Sequence, residues 1–132
     1  MVDRVPDEVT RFIRKNIHGL SQLELLLYLH NDPTKEVTQE TIVREQSMAP
    51  DQVAGLLHDL CSRGLAVATD REGVRSYRYE PKTRQLARQV DALAEIYPKY
   101  RHRIIHLIFS KPSESVTNFA EAFRLRKDEN DG

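Results

Sequence analysis

The sequence predicts a mainly α protein carrying one two-stranded β-hairpin. Apolar residues recur at three- and four-residue spacings through most of the 132 residues, as they do on buried helix faces. Between residues 65 and 80 the period drops to two, with Tyr77 and Tyr79 alternating with Arg78 and Glu80. Hydrophobic residues make up 39% of the chain and charged residues 30%, so a packed core is expected rather than disorder. The length suits one domain, or one small domain with an appendage.

The elements follow in order. Val9, Phe12, Ile13 and Ile17 form one stripe of a first helix over 7–17, and Gly19 is placed to end it. Ser21 and Glu24 have the spacing of a capping box, with Leu20 and Leu25 as a hydrophobic staple, so a second helix should start there. Its run LELLLYLHN is apolar nearly all round, which predicts a buried central helix, and Pro33 stops it. Thr38 can cap a short third helix to about Glu45. Pro50 then suits the first position of a fourth helix, where its missing N–H costs nothing. Val53, Leu56, Leu57 and Leu60 give that helix one apolar face, and Gly64 closes it.

Leu65, Val67 and Thr69 alternate with small residues in a first strand, and DREG has the Asp and Gly of a type I turn before the second. Pro81 closes the hairpin. Residues 82–110 read as one long helix. Its residues Leu86, Val90, Leu93, Tyr97, Tyr100, Ile104 and Leu107 are spaced 4-3-4-3-4-3, a heptad seam that predicts packing along another helix. Pro98 lies off the seam but removes the backbone bond to Ala94, so a kink is expected there. Ser113 or Ser115 can cap a last helix with Val116, Phe119, Ala120 and Phe123 on one face. The seam either pairs with the same helix of a second subunit or covers its own domain. RIIHLIF is apolar on more than one side and needs cover on both, which favours a symmetric homodimer.

The stretch REQSMAPDQVAGLLHDLCSRGLAV, residues 44–67, resembles the helix-turn-helix and wing entry of winged helix-turn-helix transcriptional regulators, and the order of elements is most similar to the MarR-like group. Ile42, Met48, Val53 and Leu56 stand where such motifs bury apolar residues, and LHDLCSRGLAV is similar to their L-x-x-L-x-x-x-G-L-V run. Ser47 occupies the turn position that usually carries Gly. The resemblance implies a single winged-helix domain over 1–132, with its core at 20–81 and a dimerisation region at 82–127. It implies a homodimer on double-stranded DNA, with a recognition helix at about 50–63 in the major groove and a wing at about 65–80 on the backbone. Ser47, Gln52, Gly55 and His58 would then face bases, Gln52 reading adenine through its amide. Arg71 and Arg75 would reach the minor groove or backbone, and Arg44, Arg78 and Arg84 the phosphates. In such proteins a small-molecule effector often binds between the reader domain and the dimerising helices, where Tyr97 and Tyr100 beside Pro98 could line a pocket.

Charge complicates this expectation. The formal net charge is zero, which argues against a protein that coats nucleic acid through bulk charge. Residues 38–80 hold Arg44, Arg63, Arg71, Arg75 and Arg78 against Glu40, Glu45, Asp51, Asp59, Asp70, Glu72 and Glu80, a net −2. Residues 82–111 hold Lys82, Arg84, Arg88, Lys99, Arg101, Arg103 and Lys111 against Asp91 and Glu95, a net +5. Phosphate contacts supply most non-specific affinity, so the start of the basic helix would have to supplement an acidic reader. The other reading of the same residues is a winged-helix module that binds protein and reads no DNA.

Other classes find little support. Nothing resembles a phosphate loop, a nucleophile with its base or a paired-carboxylate site, so no enzyme is expected. His102 with His106, and His58 with Cys61, have helical spacing but lack a third ligand, so neither a metal nor another cofactor is expected. A lone Cys61 makes no disulfide framework, and the longest apolar runs are too short to span a bilayer. A cytoplasmic protein without membrane contact is expected.

Overall fold

The computed structural model describes residues 5–110. The predicted terminal helix, with Ser113, Ser115 and Phe119, lies outside the described residues. The elements are α1 (Asp7–Asn16), α2 (Leu20–Asn31), β1 (Val37–Thr38), α3 (Gln39–Gln46), α4 (Pro50–Ser62), β2 (Ala66–Arg71), β3 (Val74–Tyr79) and α5 (Arg84–Ser110). This is the mainly helical architecture expected, with a helix-turn-helix at α3 and α4 and a wing at β2 and β3.

Helix α2 is central, as its all-round apolarity implies: Leu23, Leu25, Leu26 and Leu29 are buried, and the helix packs on α4, α5 and β3. The expected capping box does not form. α2 begins at Leu20 with Gly19 as its extended N-cap, and no side chain caps it. Starting one residue before Ser21 puts Gln22, not Glu24, at the third helical position, and Gln22 Oε1 accepts from the His18 N–H at 2.6 Å. Gly19 therefore opens α2, while α1 ends at Asn16 with Ile17 extended. Thr38 does cap α3, its hydroxyl accepting from the Thr41 N–H at 3.2 Å.

The sheet holds a third strand that the sequence did not announce. The order is β1-β3-β2, with Val37 opposite Tyr77 and Thr38 opposite Ser76. A two-residue strand has no periodicity to read and exists through its partner. The hairpin loop also differs from the expected type I turn. It has two residues, Glu72 at φ 53° and Gly73 at φ 79°, between the paired Arg71 and Val74. Two positive φ values make it type I′, whose twist matches that of the flanking strands where type I would splay them. Leu65 is fully buried and Val67 and Thr69 are half-buried, but the tyrosines of β3 do not share their face. Ala66 pairs with Tyr79 and Ala68 with Tyr77, so small alanines sit opposite the large tyrosines, and Val67 shares the other face with Arg78.

Helix α5 runs along α1 and also meets α2. Of its seam, Val90, Leu93 and Ile104 are buried within this one chain, while Leu86, Tyr97, Tyr100 and Leu107 pack half-buried at the core's edge. The helical path breaks at Tyr100 (φ −116°, ψ 29°), two residues beyond Pro98. His30 ties three elements together: its Nε2 lies 2.8 Å from Asp91 Oδ1 on α5, and its ring meets the Tyr79 ring edge-on at 5.1 Å. No helix among the described residues is long and apolar enough to cross a membrane.

Candidate nucleic-acid interface

Two faces of α4 divide its residues. Val53, Leu57 and Leu60 are fully buried. They anchor the helix by roughly 1.5–3 kcal/mol of apolar transfer each. Leu56, expected on this face, is half-buried at its edge. Opposite lie Ser47, Ala49, Asp51, Gln52, Gly55 and His58, all exposed. Gln52, Gly55 and His58 recur every three residues, so they share one strip of surface. The angle between α3 and α4 is held at its start by Gln39, whose Nε2 donates to the Pro50 carbonyl at 3.1 Å.

The turn between these helices is left-handed at Ser47, φ 52° and ψ 46°. This is the position where similar motifs carry Gly, and a non-glycine residue there costs about 1–2 kcal/mol. The left-handed cap lets the Met48 N–H reach the Val43 carbonyl at 3.3 Å, and Met48 is buried.

The acidic residues that weigh against DNA are mostly engaged. Asp59 does not point out with His58. Its Oδ2 accepts from Gln22 Nε2 at 2.7 Å and both its oxygens accept from Arg63 Nε, at 3.0 and 2.9 Å. Glu45 accepts from the Tyr28 hydroxyl; burial first, then this bond, push the Tyr28 phenol up to about 12. Asp51 stays exposed, but it sits in the first turn of α4, where the helix dipole favours a carboxylate.

The wing is neutralised pair by pair. Arg71 meets Glu36 at 3.2 Å. Arg75 donates to both oxygens of Asp70, at 2.9 and 3.2 Å. Arg78 lies 2.6 Å from Glu80. The Arg75 bond lowers the Asp70 carboxyl below its usual range and raises the guanidinium in turn. Arg71 and Arg75 remain largely open to solvent, where such pairs exchange readily with another anion. Arg44 and Arg84 are exposed and have no carboxylate partner among the described residues. Cys61 is half-buried on α4, and burial pushes its thiol up. Among the described residues, no three His, Cys, Asp or Glu side chains are grouped to hold a metal.

Two hollows flank α1. A cleft of about 560 Å³ lies between α1, the end of α4 and the start of α5, with Arg11, Lys15, Arg63 and Lys82 around the apolar Phe12 and Leu86. A shallower groove of about 400 Å³ is lined by Val5, Thr10, His102, Arg103, His106 and Leu107. The tyrosines beside Pro98 line neither of these: the Tyr97 hydroxyl accepts from Arg101 at 3.3 Å, while Tyr100, under Lys99 and Arg103 at 5.7 and 5.6 Å, lines a separate hollow of about 300 Å³ with Lys99, His102 and Arg103.

Helix-turn-helix, wing and long following helix define a winged-helix protein. No protein-family model matches the sequence, and no curated protein matches it. Solved structures share the fold. A Staphylococcus aureus MepR–DNA complex superposes with a TM-score of 0.55 at 16% identity, over 95% of this chain and 86% of that one. A MarR-family transcriptional regulator from a Rhodococcus species gives 0.53 at 20% identity, over 90% and 81%. The adhesin competence repressor AdcR of Streptococcus pyogenes gives 0.53 at 10% identity, over 89% and 84%. The chain therefore has the winged-helix fold seen in MarR-family regulators.

Proposed function

We propose that this chain is a DNA-binding transcriptional regulator that acts as a homodimer, with α4 in the major groove and the wing on the backbone. The observation that carries the reading is the outer face of α4. Gln52, Gly55 and His58 stand bare there, while Asp59, the acid beside them, is turned inward to Gln22 and Arg63. The same fold occurs in a MepR–DNA complex. Ser47 and Gln52 meet base edges in this reading, Gly55 lets the backbone approach, and Arg44, Arg71, Arg75, Arg78 and Arg84 serve phosphates.

The dimer face in this reading is the outer side of α5. The fully buried seam residues have no surface left for a partner, whereas Phe109 is 69% exposed on the same helix whose His102, His106 and Leu107 line the groove at Val5. An effector belongs in the basic cleft beside α1, where Arg11, Lys15 and Lys82 favour an anion. The second reading, a protein-binding winged helix, is favoured by the carboxylates on Arg71, Arg75 and Arg78.

Repeated selection from random duplexes at low salt tests the proposal. Enrichment of a two-fold-symmetric sequence, with half-sites about 10 bp apart, is the expected result. No enrichment over random DNA favours the protein-binding reading. A monomer at micromolar concentration by light scattering would remove the homodimer.

A further inference from the structure

The polar knot beneath α4 has a geometry that packing alone does not require. Gln22 is 3% exposed, yet every hydrogen-bonding direction of its amide but one is used. Oε1 accepts from the His18 N–H at 2.6 Å. Nε2 donates one hydrogen to the Asn16 carbonyl and the other to Asp59 Oδ2, both at 2.7 Å. The two acceptors fix which end of the amide is nitrogen. Arg63 closes the ring: its Nε holds Asp59, and its Nη1 donates to the Lys15 carbonyl at 3.2 Å and to Asn16 Oδ1 at 3.5 Å.

The ring adds a directional link between two units whose other contact is apolar. Asp59 and Arg63 stand on the last turn of α4 and its cap. Asn16, His18 and Gln22 form the junction of α1 and α2, and α1 lies along α5. An apolar contact such as that of Leu57 tolerates small rotations, because it is non-directional. A buried amide between a carbonyl and a carboxylate does not, since any tilt leaves a donor unpaired. We propose that Gln22, acting through Asp59 and Arg63, is a positioning residue that sets the angle of α4 on the paired α1 and α5 helices. In a homodimer this angle fixes how the two α4 helices present themselves to DNA. That consequence rests on the DNA-reading function proposed above.

Gln22→Met keeps the volume and removes all three bonds. Hydrogen exchange of the His18 amide should rise at least tenfold, as should that of residues 63–65, with the hairpin tip unchanged. Affinity for the duplex enriched by the unaltered protein should fall about tenfold, the loss typical of one bond to a charged group. Affinity for random duplex and the salt dependence should not move, because no phosphate contact is lost. Gln22→Glu sets a carboxylate against Asp59 and should bind more weakly still. Adding Asp59→Asn restores a donor–acceptor pair and should recover part of that loss, which a merely structural defect would not. If Gln22→Met fails to fold, Asp59→Ala alone, which removes the acceptor of Gln22 Nε2, gives the same contrast. Specific affinity within twofold of the unaltered protein, with His18 unprotected, overturns the proposal, as does a double variant no better than Gln22→Glu. If the unaltered protein enriches no duplex, the DNA reading fails separately. The positioning role then stands on faster exchange at 63–65 in Gln22→Met, and unchanged exchange there overturns it.

Discussion

On α4 the carboxylate beside His58, Asp59, is drawn toward Gln22 and Arg63. On the wing the opposite holds: Asp70 stands in the open and occupies Arg75, as Glu36 occupies Arg71 and Glu80 occupies Arg78. The helix has one of its two carboxylates tied up by its own chain while Asp51 stays open at its first turn, and the wing has its attractive charge masked. A net charge counted along 38–80 treats the two alike. The structure separates them, because Asp59 is held by a buried amide and a half-buried arginine whereas an exposed pair can change partners when a phosphate arrives. In the proposed DNA-reading function the helix would supply discrimination from the start, and the wing would add grip after its arginines exchange.

The largest expected effect breaks the helix side of this comparison. Leu57→Ala removes a fully buried anchor of α4 and should destabilise the fold by about 2–5 kcal/mol in denaturant titration. Gln52→Ala leaves the fold intact, because the residue is exposed. It should weaken binding to the selected duplex by roughly 1–3 kcal/mol while sparing random DNA. Ser47→Gly relieves the left-handed turn and should stabilise the protein by about 1 kcal/mol, read as a rise in Tm. Asp70→Asn sharpens the wing side. Freed from its carboxylate, Arg75 should tighten binding to all duplexes severalfold and steepen the logarithmic salt slope by about one.

Alkaline pH gives a check that does not involve DNA. Burial holds Tyr28 and Tyr79 up at about 12, against an ordinary 10.0. The folded state keeps both protons through this interval and the unfolded state does not. Their contribution is therefore complete below about 10 and lost between 10 and 12, and Tm should fall across that window. Tyr28→Phe should reduce the fall, and it also releases Glu45.

Local periodicity made much of the fold legible. Val53, Leu57 and Leu60 declared the inner face of α4, and Pro50 and Thr38 marked helix starts where helices start. Features that depend on distant partners were not legible. β1 exists because Val37 meets Tyr77 forty residues later. The hairpin's register, with Ala66 opposite Tyr79, could not be read from either strand alone. The capping box at Ser21 was a true spacing overruled by Gln22, whose second partner lies 37 residues away. At the candidate interface, exposed Gln52, Gly55 and His58 followed from the buried positions by elimination. The inward turn of Asp59 had one local signal, Arg63 one helical turn on, which a simple sum of charges discards.

Chemical-shift mapping of the labelled protein against its selected duplex tests the central claim most directly. The account predicts shifts concentrated at residues 47–58 on the outer face of α4 and at the wing tip around Arg71 and Arg75. Shifts confined to the basic stretch 99–109 of α5, with 47–58 unmoved, would contradict it.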